Sequence, residues 1–360
     1  MNQTAPAGRT ASTGSRQPGV LRLAPAAIAS LWKEPPPANI PTGIAPLDAA
    51  LNGGLMADSL SVLIAATGRG KTGFVIQMAR GWLAAGRAVL FIETELTSRQ
   101  TLARFVAQEL SEPWHGVMQA SPAEADRFAA LAQQKFPRLA VHEWQRTDSA
   151  GDVFARFPSQ MGKPLVIVDQ IGDLARARGS QDMRVATAAV SAELKQLAKQ
   201  EGTVVLAVSG TSRAVAAEPD RYRPARRGRQ YEAAAKDAGE IEYDGAALLY
   251  LESDPVGPTG VGSARLHLAK ARNGLADVVI PLRFFGAIGM FAAATVATAD
   301  ADTARALEHI AQNGPIGIQK LSRALRIGQV RAESIAQRLS DDGLIQRTGK
   351  GLEAVKQGTP

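Results

Sequence analysis

Cysteine is absent from the 360-residue chain, and histidine occurs four times. Without thiols the chain can form no disulfide, no thiolate metal site and no cysteine nucleophile, and four scattered histidines make a structural zinc site a poor explanation. Apolar runs of the roughly 18 residues that a membrane span requires are also missing. The N-terminus shows no apolar stretch behind a basic start, as a signal peptide would. We therefore expect a protein of the reducing cytoplasm that does not use a membrane.

Acidic residues are fewer than basic ones, with 34 Asp and Glu against 41 Lys and Arg, and the formal net charge is +7. Basic side chains that face phosphates gain from counterion release, so this surplus favours a polyanionic partner such as nucleic acid. The alternative is an ordinary solvated surface. A hydrophobic fraction of 45% is enough for a substantial core, and the length predicts two domains.

The chain divides into segments of different composition. Residues 1–40 are rich in Ala, Pro, Gly, Ser and Thr and predict a disordered or extended arm. Within it, Leu21–Lys33 predicts a short apolar helix, either a docking element for a neighbouring subunit or a packed lead-in. Between 41 and 295, short β-rich runs alternate with helical patterns, which is typical of an α/β domain with a mostly parallel sheet. A small polar linker spans 296–302.

The α/β domain contains eight predicted strands and three clear helices. The predicted strands are Ser61–Ala65, Ala88–Ile92, Leu139–Glu143, Leu165–Val168, Val204–Val208, Ala246–Leu251, Ala264–Lys270 and Asp277–Phe284. The predicted helices are Gly73–Ala85, Ser98–Leu110 and Ala186–Gln200. Between the last two strands, Asn273-Gly274 indicates a hairpin turn.

Residues 303–357 predict a small C-terminal winged helix-turn-helix domain. Its predicted elements are a helix at Thr303–Gln312, a helix at Ile318–Leu325, a helix at about Gln329–Asp342 and two strands joined by Thr348–Gly351. This order of helices followed by a β-ribbon is that of a winged helix. The domain could bind double-stranded DNA or dock a protein.

The third helix is the candidate recognition helix of that domain. We expect Val330, Ile335 and Leu339 on its core side. Its outward residues, some of them basic, would contact DNA together with a lysine at the tip of the wing. The residues predicted to face outward are Arg331, Ser334, Gln337 and Arg338, and the wing lysine is Lys350.

The strongest motif is an apolar strand that runs into a glycine-rich loop and a helix. Glycines let the backbone approach phosphate oxygens closely, and the N-terminus of the helix adds its positive dipole end. Lys71 would reach the β- and γ-phosphates, and the Thr72 hydroxyl would bind Mg²⁺. The pattern therefore predicts a P-loop that binds ATP and Mg²⁺. Its residues are Ala65, Ala66, Thr67, Gly68, Arg69, Gly70, Lys71 and Thr72.

Carboxylates follow two other apolar strands. Asp169 ends the run Leu165–Val168, and ligands of open α/β sheets bind at the carboxyl ends of the strands, so Asp169 is predicted to help bind Mg²⁺. Asp173 is interpreted as loop structure. Glu93 and Glu95 end another strand and are candidates for the base that polarises the attacking water. Both fall on one face of an extended strand, so alternation does not choose between them.

From Pro41 to about Phe291 the chain resembles the ATPase domain of DnaB-type replicative helicases, within the RecA and KaiC group. The similar stretches include Pro41-Thr42-Gly43-Ile44, Gly53-Gly54-Leu55 and a P-loop that begins with alanine. Leu194–Lys199 and Ala238–Asp244 resemble further family segments. The resemblance implies a RecA-like fold and assigns the catalytic glutamate to Glu95.

The stretch Ala269–Gly274 is the most specific part of the resemblance. In the family the equivalent Lys and Arg reach the γ-phosphate of the neighbouring subunit. The resemblance therefore implies that Lys270 and Arg272 act in trans within a homo-oligomer, with a hexameric ring favoured. An arginine supplied in this way stabilises charge on the transferring phosphoryl group. The alternative is an ordinary hairpin with a basic tip.

One position departs from the family. Gly210 stands where the family carries a glutamine that senses the γ-phosphate, which puts the coupling of hydrolysis to movement in question. We also expect no counterpart of the N-terminal helical domain of replicative DnaB proteins. The expected context is a phage, a mobile element or an accessory replication system.

Two basic segments are candidates for contact with single-stranded DNA. A flexible arginine-rich loop suits phosphate contact, and its tyrosine could stack on a base. The alternatives are solvated disorder or contacts with another subunit. The residues of the first segment are Arg221, Arg223, Arg226, Arg227 and Arg229, and those of the second, a predicted loop from Arg176 to Arg184, include Arg176 and Arg178.

Two functions of different classes remain open from the sequence. The first is an oligomeric, DNA-stimulated ATPase that acts as a helicase or translocase. The second is a nucleotide-switched regulator or loader that assembles on DNA with ATP and does not unwind it processively. A KaiC-like signalling ATPase is disfavoured by the arginine cluster and the predicted winged helix.

Overall fold

The computed structural model describes residues 33, 37–180, 182–210, 239–254, 256, 260–294, 305–306, 309–310, 313–341, 345–348 and 351–354. The predictions for the 296–302 linker, the five arginines of 221–229 and Lys350 lie outside these residues. Of the arm predicted at 1–40, the structure describes only 33 and 37–40, and Ile40 at its end is buried and pairs with Leu55. Packing separates Met1–Ala38 from Asn39–Pro360. None of the helices in the described part of the chain is long and apolar enough to cross a membrane.

The described part of 39–294 forms a nine-stranded sheet with helices between its strands. Its strands are β1 Leu60–Ala65, β2 Ala88–Glu93, β3 Leu139–Glu143, β4 Pro164–Asp169, β5 Val205–Gly210, β6 Ala247–Ser253, β7 Val261–Ala271, β8 Val278–Phe285 and β9 Met290–Ala293. Its helices are α1 Ala45–Ala50, α2 Lys71–Ala84, α3 Ser98–Leu110, α4 Trp114–Met118, α5 Pro122–Lys135, α6 Ala150–Ala155, α7 Ile171–Ala177, α8 Met183–Glu201 and α9 Gly239–Asp244.

The sheet is mostly parallel, in the order β3-β2-β4-β5-β1-β6-β7-β8-β9. The first six strands of this order, from β3 at the edge to β6, pair in parallel with their neighbours. The last four strands, from β6 to β9, pair antiparallel. The α/β class and the mostly parallel sheet predicted from the alternation of apolar runs are therefore confirmed. Strand β9 was not predicted, since Met290–Ala293 is only four residues long.

Both faces of the central parallel strands are buried, whereas the edge strand β3 is only partly buried. In β1, every residue is buried. Leu63 packs into a cluster with Phe74 and Met78 of α2, and Val62 packs into the opposite cluster with Leu194 of α8. A parallel sheet covered on both sides explains why these strands read as continuous apolar runs rather than alternating ones. The carboxyl ends of β1, β2 and β4 consequently meet at one edge of the sheet.

Several helices were missed by sequence periodicity. Helix α5 has no fully buried residue, and its apolar side chains Phe128, Leu131 and Ala132 are only partly buried against the cluster of α3 residues, so its periodic pattern is weak. Its start does carry a local signal, because Ser121 and Glu124 form a capping box.

Helix α7 contains Asp173 and Arg176, so the interpretation of Asp173 as loop structure is wrong. The loop predicted from Arg176 to Arg184 is present but shorter, because α7 ends at Ala177 and α8 begins at Met183.

The predicted turn at Asn273-Gly274 lies in the hairpin between β7 and β8. A Cβ at Gly274 would stand 2.3 Å from the carbonyl oxygen of Ala50, at the end of α1. The Leu275 N–H donates to the same carbonyl at 2.8 Å. Glycine is therefore required here because the hairpin packs closely against α1.

The C-terminal segment contains helices α10 Ile318–Leu325 and α11 Gln329–Asp341 and an antiparallel pair, β10 Ile345–Thr348 and β11 Gly351–Ala354. Ile335 and Leu339 are buried in its own core, together with Leu321 and Leu352. Val330, which was predicted to join them, is 87% exposed because it lies in the first turn of α11, and that prediction is wrong. The assignment as a winged helix stays a prediction.

Candidate active site

The loop between β1 and α2 turns tightly at two glycines. Gly68 and Gly70 have φ angles of 76° and 86°, a backbone conformation that side chains disfavour. A Cβ at Gly70 would also stand 2.8 Å from the ring of Phe291. Helix α2 begins at Lys71, directly after Gly70, so its N-terminus faces the loop. The loop therefore has the backbone shape that phosphate binding requires.

Helix α2 is held close to the β8–β9 turn. A Cβ at Gly73 would stand 2.2 Å from the carbonyl oxygen of Gly289. The Gln108 side-chain amide donates to the carbonyls of Gly73 and Gly289 at 2.8 and 2.9 Å. Arg69 donates to the Ser253 carbonyl at 2.7 Å and ties the other side of the loop to the end of β6. These contacts fix the loop on a rigid frame.

Thr72 and Asp169 meet at the edge of the sheet. The Thr72 hydroxyl donates to Asp169 Oδ2 at 2.6 Å, although β5 separates β1 from β4. A hydroxyl and a carboxylate are hard oxygen donors of the kind that Mg²⁺ prefers. Among the described residues no three His, Asp or Glu side chains cluster to bind a metal alone. The pair thus fits a Mg²⁺ ion that takes its remaining ligands from phosphate and water.

Lys71 and Asp169 influence each other's ionisation. Burial lowers the pKa of Lys71, and the negative charges of Asp169 and Glu95 partly oppose this. Burial raises the pKa of Asp169 to about 6, against the Thr72 hydrogen bond and the charge of Lys71. Lys71 Nζ donates to the Ala66 carbonyl at 3.3 Å. The predicted lysine, threonine and aspartate are therefore together at the glycine loop.

The two glutamates have different environments. Strand β2 ends at Glu93, which is 1% exposed, and the chain turns at once, so Glu95 has left the strand and is exposed. The expectation that both share one strand face is therefore wrong. Burial and the charge of Asp169 raise the pKa of Glu93 to about 7, against hydrogen bonds from the Leu96 and Glu95 N–H groups and Thr101.

Glu95 stands at the open side of the site. Its carboxylate accepts a hydrogen bond from the Gln170 amide. Its charge acts on both Lys71 and Asp169, so it lies close to the glycine loop. An exposed carboxylate beside the loop is placed to polarise water. The carboxylate of Glu93, by contrast, already accepts hydrogen bonds from backbone N–H groups. The geometry therefore favours Glu95 as the base.

Lys270 and Arg272 are not brought to this site. Both side chains donate to the Tyr243 carbonyl, at 3.3 and 3.1 Å. The Arg272 N–H bonds to Ala246, whose N–H bonds to Leu60 at the start of β1. The glycine loop follows the far end of β1, roughly 17 Å away at about 3.3 Å per residue. Within one chain, the basic pair therefore lies near the amino end of β1, and the glycine loop lies at its carboxyl end.

The described DNA-contact candidates have mixed surroundings. Arg176 pairs with Asp173, and Arg178 pairs with Glu193. Arg331 is exposed on α11, and nothing is described of the Arg338 side chain. Their role as DNA contacts stays a prediction.

Sequence reasoning missed Thr94 and Gln170, which shape the site, and gave Glu93 only the role of a candidate base. Thr94 donates from its N–H to the Asp169 carbonyl at 3.0 Å, and its hydroxyl accepts from the Gln170 N–H at 2.9 Å. The side chains of Gln170 and Glu93 contact, respectively, Glu95 and the loop that follows β2. Gln170 follows the predicted Asp169 directly, so adjacency to a strand end was the available signal.

A strand, a glycine loop and a helix, with Lys71, Thr72 and a strand-end aspartate at one sheet edge, define a P-loop NTPase. A family model described as DnaB-like helicase C terminal domain matches residues 39–293. The chain belongs to this family of RecA-like ATPases, so it is a nucleotide-hydrolysing enzyme of the replicative-helicase type. None of the curated protein sequences compared with the chain matches it.

Many solved structures are similar to the chain, and two of them share its fold as follows. The first is an ATPase domain with a TM-score of 0.60 and 17% identity, over 75% of this chain and 98% of that one. The second is a DnaB-like replicative helicase described with its interactions with primase, with a TM-score of 0.58 and 17% identity, over 75% of this chain and 66% of that one. The chain therefore spans just under two thirds of the second protein.

Proposed function

We propose that this protein is an oligomeric, ATP-hydrolysing and DNA-binding helicase or translocase of an accessory replication system, phage or mobile element. The observation that carries the proposal is the separation of two half-sites. The first, which we name the loop half-site, comprises Lys71, Thr72, Glu95 and Asp169. The second, the hairpin half-site, comprises Lys270 and Arg272, which lie near the amino end of β1, away from the glycine loop.

The loop half-site performs binding and water activation. The backbone of Ala65–Gly70 and Lys71 hold the triphosphate, and Thr72 with Asp169 holds Mg²⁺, which neutralises charge on the phosphates when bound. Glu95 accepts a proton from the attacking water and keeps it in line with the γ-phosphate. Gln170 holds the Glu95 carboxylate by its amide.

The hairpin half-site serves the neighbouring subunit. Lys270 and Arg272 cannot reach the loop of their own chain across the length of β1, but a head-to-tail neighbour would bring them to it. An arginine at that position stabilises charge on the transferring phosphoryl group. Because heterologous contacts that close generate rings, we propose a ring, with six subunits favoured.

DNA would pass through the ring and contact arginine-rich segments. The candidates are Arg221, Arg223, Arg226, Arg227 and Arg229, with Arg176 and Arg178 next to the carboxyl edge of the sheet. The C-terminal segment would add a second contact, with double-stranded DNA or a protein, through Arg331, Arg338 and Lys350. The net charge of +7 supports a polyanionic partner.

A nucleotide-switched loader is the second candidate. The observation that favours it is Gly210, which ends β5 beside the site and carries no side chain to report on the nucleotide. In that case ATP would assemble the protein on DNA without processive unwinding. ATP-dependent strand displacement by the wild-type protein separates the two functions.

The experiment that tests the proposal is the ATPase rate with and without single-stranded DNA, with Lys71→Ala as the blank. Stimulation by DNA that is lost in Arg272→Ala supports a multi-subunit motor. A slow rate that is indifferent to DNA contradicts the motor and leaves the loader as the better account.

A further inference from the structure

Glu93 is a buried acid for which water activation provides no role. Its side chain is almost fully buried at the end of β2, where it contacts Thr101 of α3. A buried carboxylate is costly unless its oxygens accept hydrogen bonds. Its partners therefore indicate what the residue is for.

One oxygen of Glu93 gathers three consecutive backbone groups. The N–H groups of Thr94, Glu95 and Leu96 each donate to Glu93 Oε1 at 3.1 Å. The other oxygen, Oε2, accepts from the Thr101 hydroxyl at 3.1 Å, and Thr101 is itself fully buried in α3. The carboxylate thus joins the end of β2, the reversing loop 94–96 and the first turns of α3.

The loop held in this way carries the Glu95 carboxylate. On its other side the loop is fastened to β4, because Thr94 bonds to the Asp169 carbonyl and to the Gln170 N–H. Helix α3 then starts with a capping box of Thr97 and Gln100. The loop is therefore fixed at both ends, and Glu93 fixes its middle.

We propose that Glu93 is a positioning residue that holds the backbone of residues 94–96, so that the Glu95 carboxylate stands beside the glycine loop in line for water activation. This inference rests on the proposed role of Glu95. It assigns Glu93 no contact with nucleotide or water. What the loop requires from position 93 is an acceptor oxygen inside the turn.

The geometry makes two substitutions informative. Methionine at position 93 keeps most of the volume of glutamate but offers no strong acceptor, so the Glu95 and Leu96 N–H groups lose their partner, whereas the Thr94 N–H keeps the Asp169 carbonyl. Glutamine keeps an amide oxygen in place of Oε1, and the Thr101 hydroxyl can rotate to accept from its amide nitrogen. Glu93→Gln is thus the matched control for Glu93→Met.

The test uses the full-length protein and compares wild type, Glu93→Met, Glu93→Gln and Glu95→Gln. We expect Glu93→Met to lower kcat by about tenfold to a hundredfold, because small misplacements of a catalytic group have effects of this size. The KM for ATP and the affinity for a fluorescent ADP analogue should stay within about twofold, since the glycine loop is untouched. Glu93→Gln should recover most of kcat.

Hydrogen exchange supplies a readout that does not depend on activity. The amides of Glu95 and Leu96 should exchange slowly in the wild type and in Glu93→Gln, and faster in Glu93→Met, whereas the Thr94 amide keeps its bond to the Asp169 carbonyl in all three. Rapid exchange in the wild type, or a Glu93→Met protein with wild-type kcat and unchanged exchange, would overturn the inference. Full activity of Glu95→Gln would instead refute the proposed base, a result that the exchange data keep distinct from the role of Glu93.

Discussion

The loop half-site and the hairpin half-site differ in how much of their chemistry one chain completes. In the loop half-site, Asp169 is buried, accepts a hydrogen bond from Thr72 and interacts electrostatically with Lys71. In the hairpin half-site Arg272 and Lys270 rest on one backbone carbonyl at the surface. The comparison teaches that the residues of the loop half-site already contact one another within one chain, whereas the hairpin half-site, under the proposed function, would act on the nucleotide of a neighbouring chain.

The sharpest way to break this comparison is Arg272→Ala. We expect it to lower DNA-stimulated kcat by about a thousandfold, the size of effect known for arginines that stabilise the transferring phosphoryl group. Nucleotide affinity of the isolated subunit should be unchanged, because Arg272 is far from the loop of its own chain. Steady-state kinetics and equilibrium binding measure the two quantities, and an equal loss of both would place Arg272 in its own chain's site.

Lys71→Ala is the counterpart on the loop half-site. Removing this ammonium should lower kcat by at least about a hundredfold, because it stabilises charge that develops on the phosphates. Unlike Arg272→Ala, it should also weaken nucleotide binding by the isolated subunit. Titration with a fluorescent ADP analogue distinguishes the variants, and unchanged affinity would refute the assignment of the glycine loop.

Two glycines allow a matched test of the backbone packing that supports each half-site. Gly73→Ala places a Cβ 2.2 Å from the Gly289 carbonyl oxygen, and Gly274→Ala places one 2.3 Å from that of Ala50. Each clash should cost about 1–3 kcal/mol of folding free energy. We expect Gly73→Ala to weaken nucleotide binding and Gly274→Ala to spare it while lowering kcat. Denaturant titration and nucleotide binding check both, and weaker nucleotide binding in Gly274→Ala would contradict the separation.

Asp148 lies outside both half-sites and should affect stability alone. Burial disfavours its ionised form, but hydrogen bonds from His142, the Gln145 N–H and Arg156 prevail and lower its pKa to about 2. The stability that it provides is therefore present above its unfolded pKa of about 3.9 and lost as the pH falls towards 2.

Asp148→Asn should accordingly lower the free energy of unfolding at pH 7 by about 1–3 kcal/mol and flatten its dependence on pH between about 4 and 2. Thermal unfolding over that range is the measurement. Nucleotide affinity at pH 7 serves as the control. A variant that loses stability equally at pH 2 and pH 7 would show that Asp148 acts through packing rather than charge.

The sequence predicted the fold well where burial imposes a pattern. Strands β1 and β4 are buried on both faces, so their apolar runs located the glycine loop and Asp169. Helix α5 buries Phe128, Leu131 and Ala132 only partly, so its periodic signal was weak. Val330 was misplaced because a helix's first turn need not face the core that the later turns contact.

The details of the site were less predictable, because they depend on tertiary contacts. Alternation could not separate Glu93 from Glu95, since the strand ends between them and three N–H groups fold back onto Glu93. No local sequence pattern predicts the contact between Gln170, which follows β4, and Glu95, which follows the neighbouring strand β2. The resemblance to DnaB-type helicases led to Glu95, which is exposed beside the glycine loop, and its role as the base stays a prediction.

The central claim is that each active site is shared between two chains, and subunit mixing tests it most directly. Lys71→Ala retains an intact hairpin half-site, and Arg272→Ala retains an intact loop half-site. Mixed at equal amounts before assembly, the two inactive variants should recover DNA-stimulated ATPase activity, with about one site in four complete by random assortment at a head-to-tail interface. A mixture that assembles and stays as inactive as either variant alone would contradict the account.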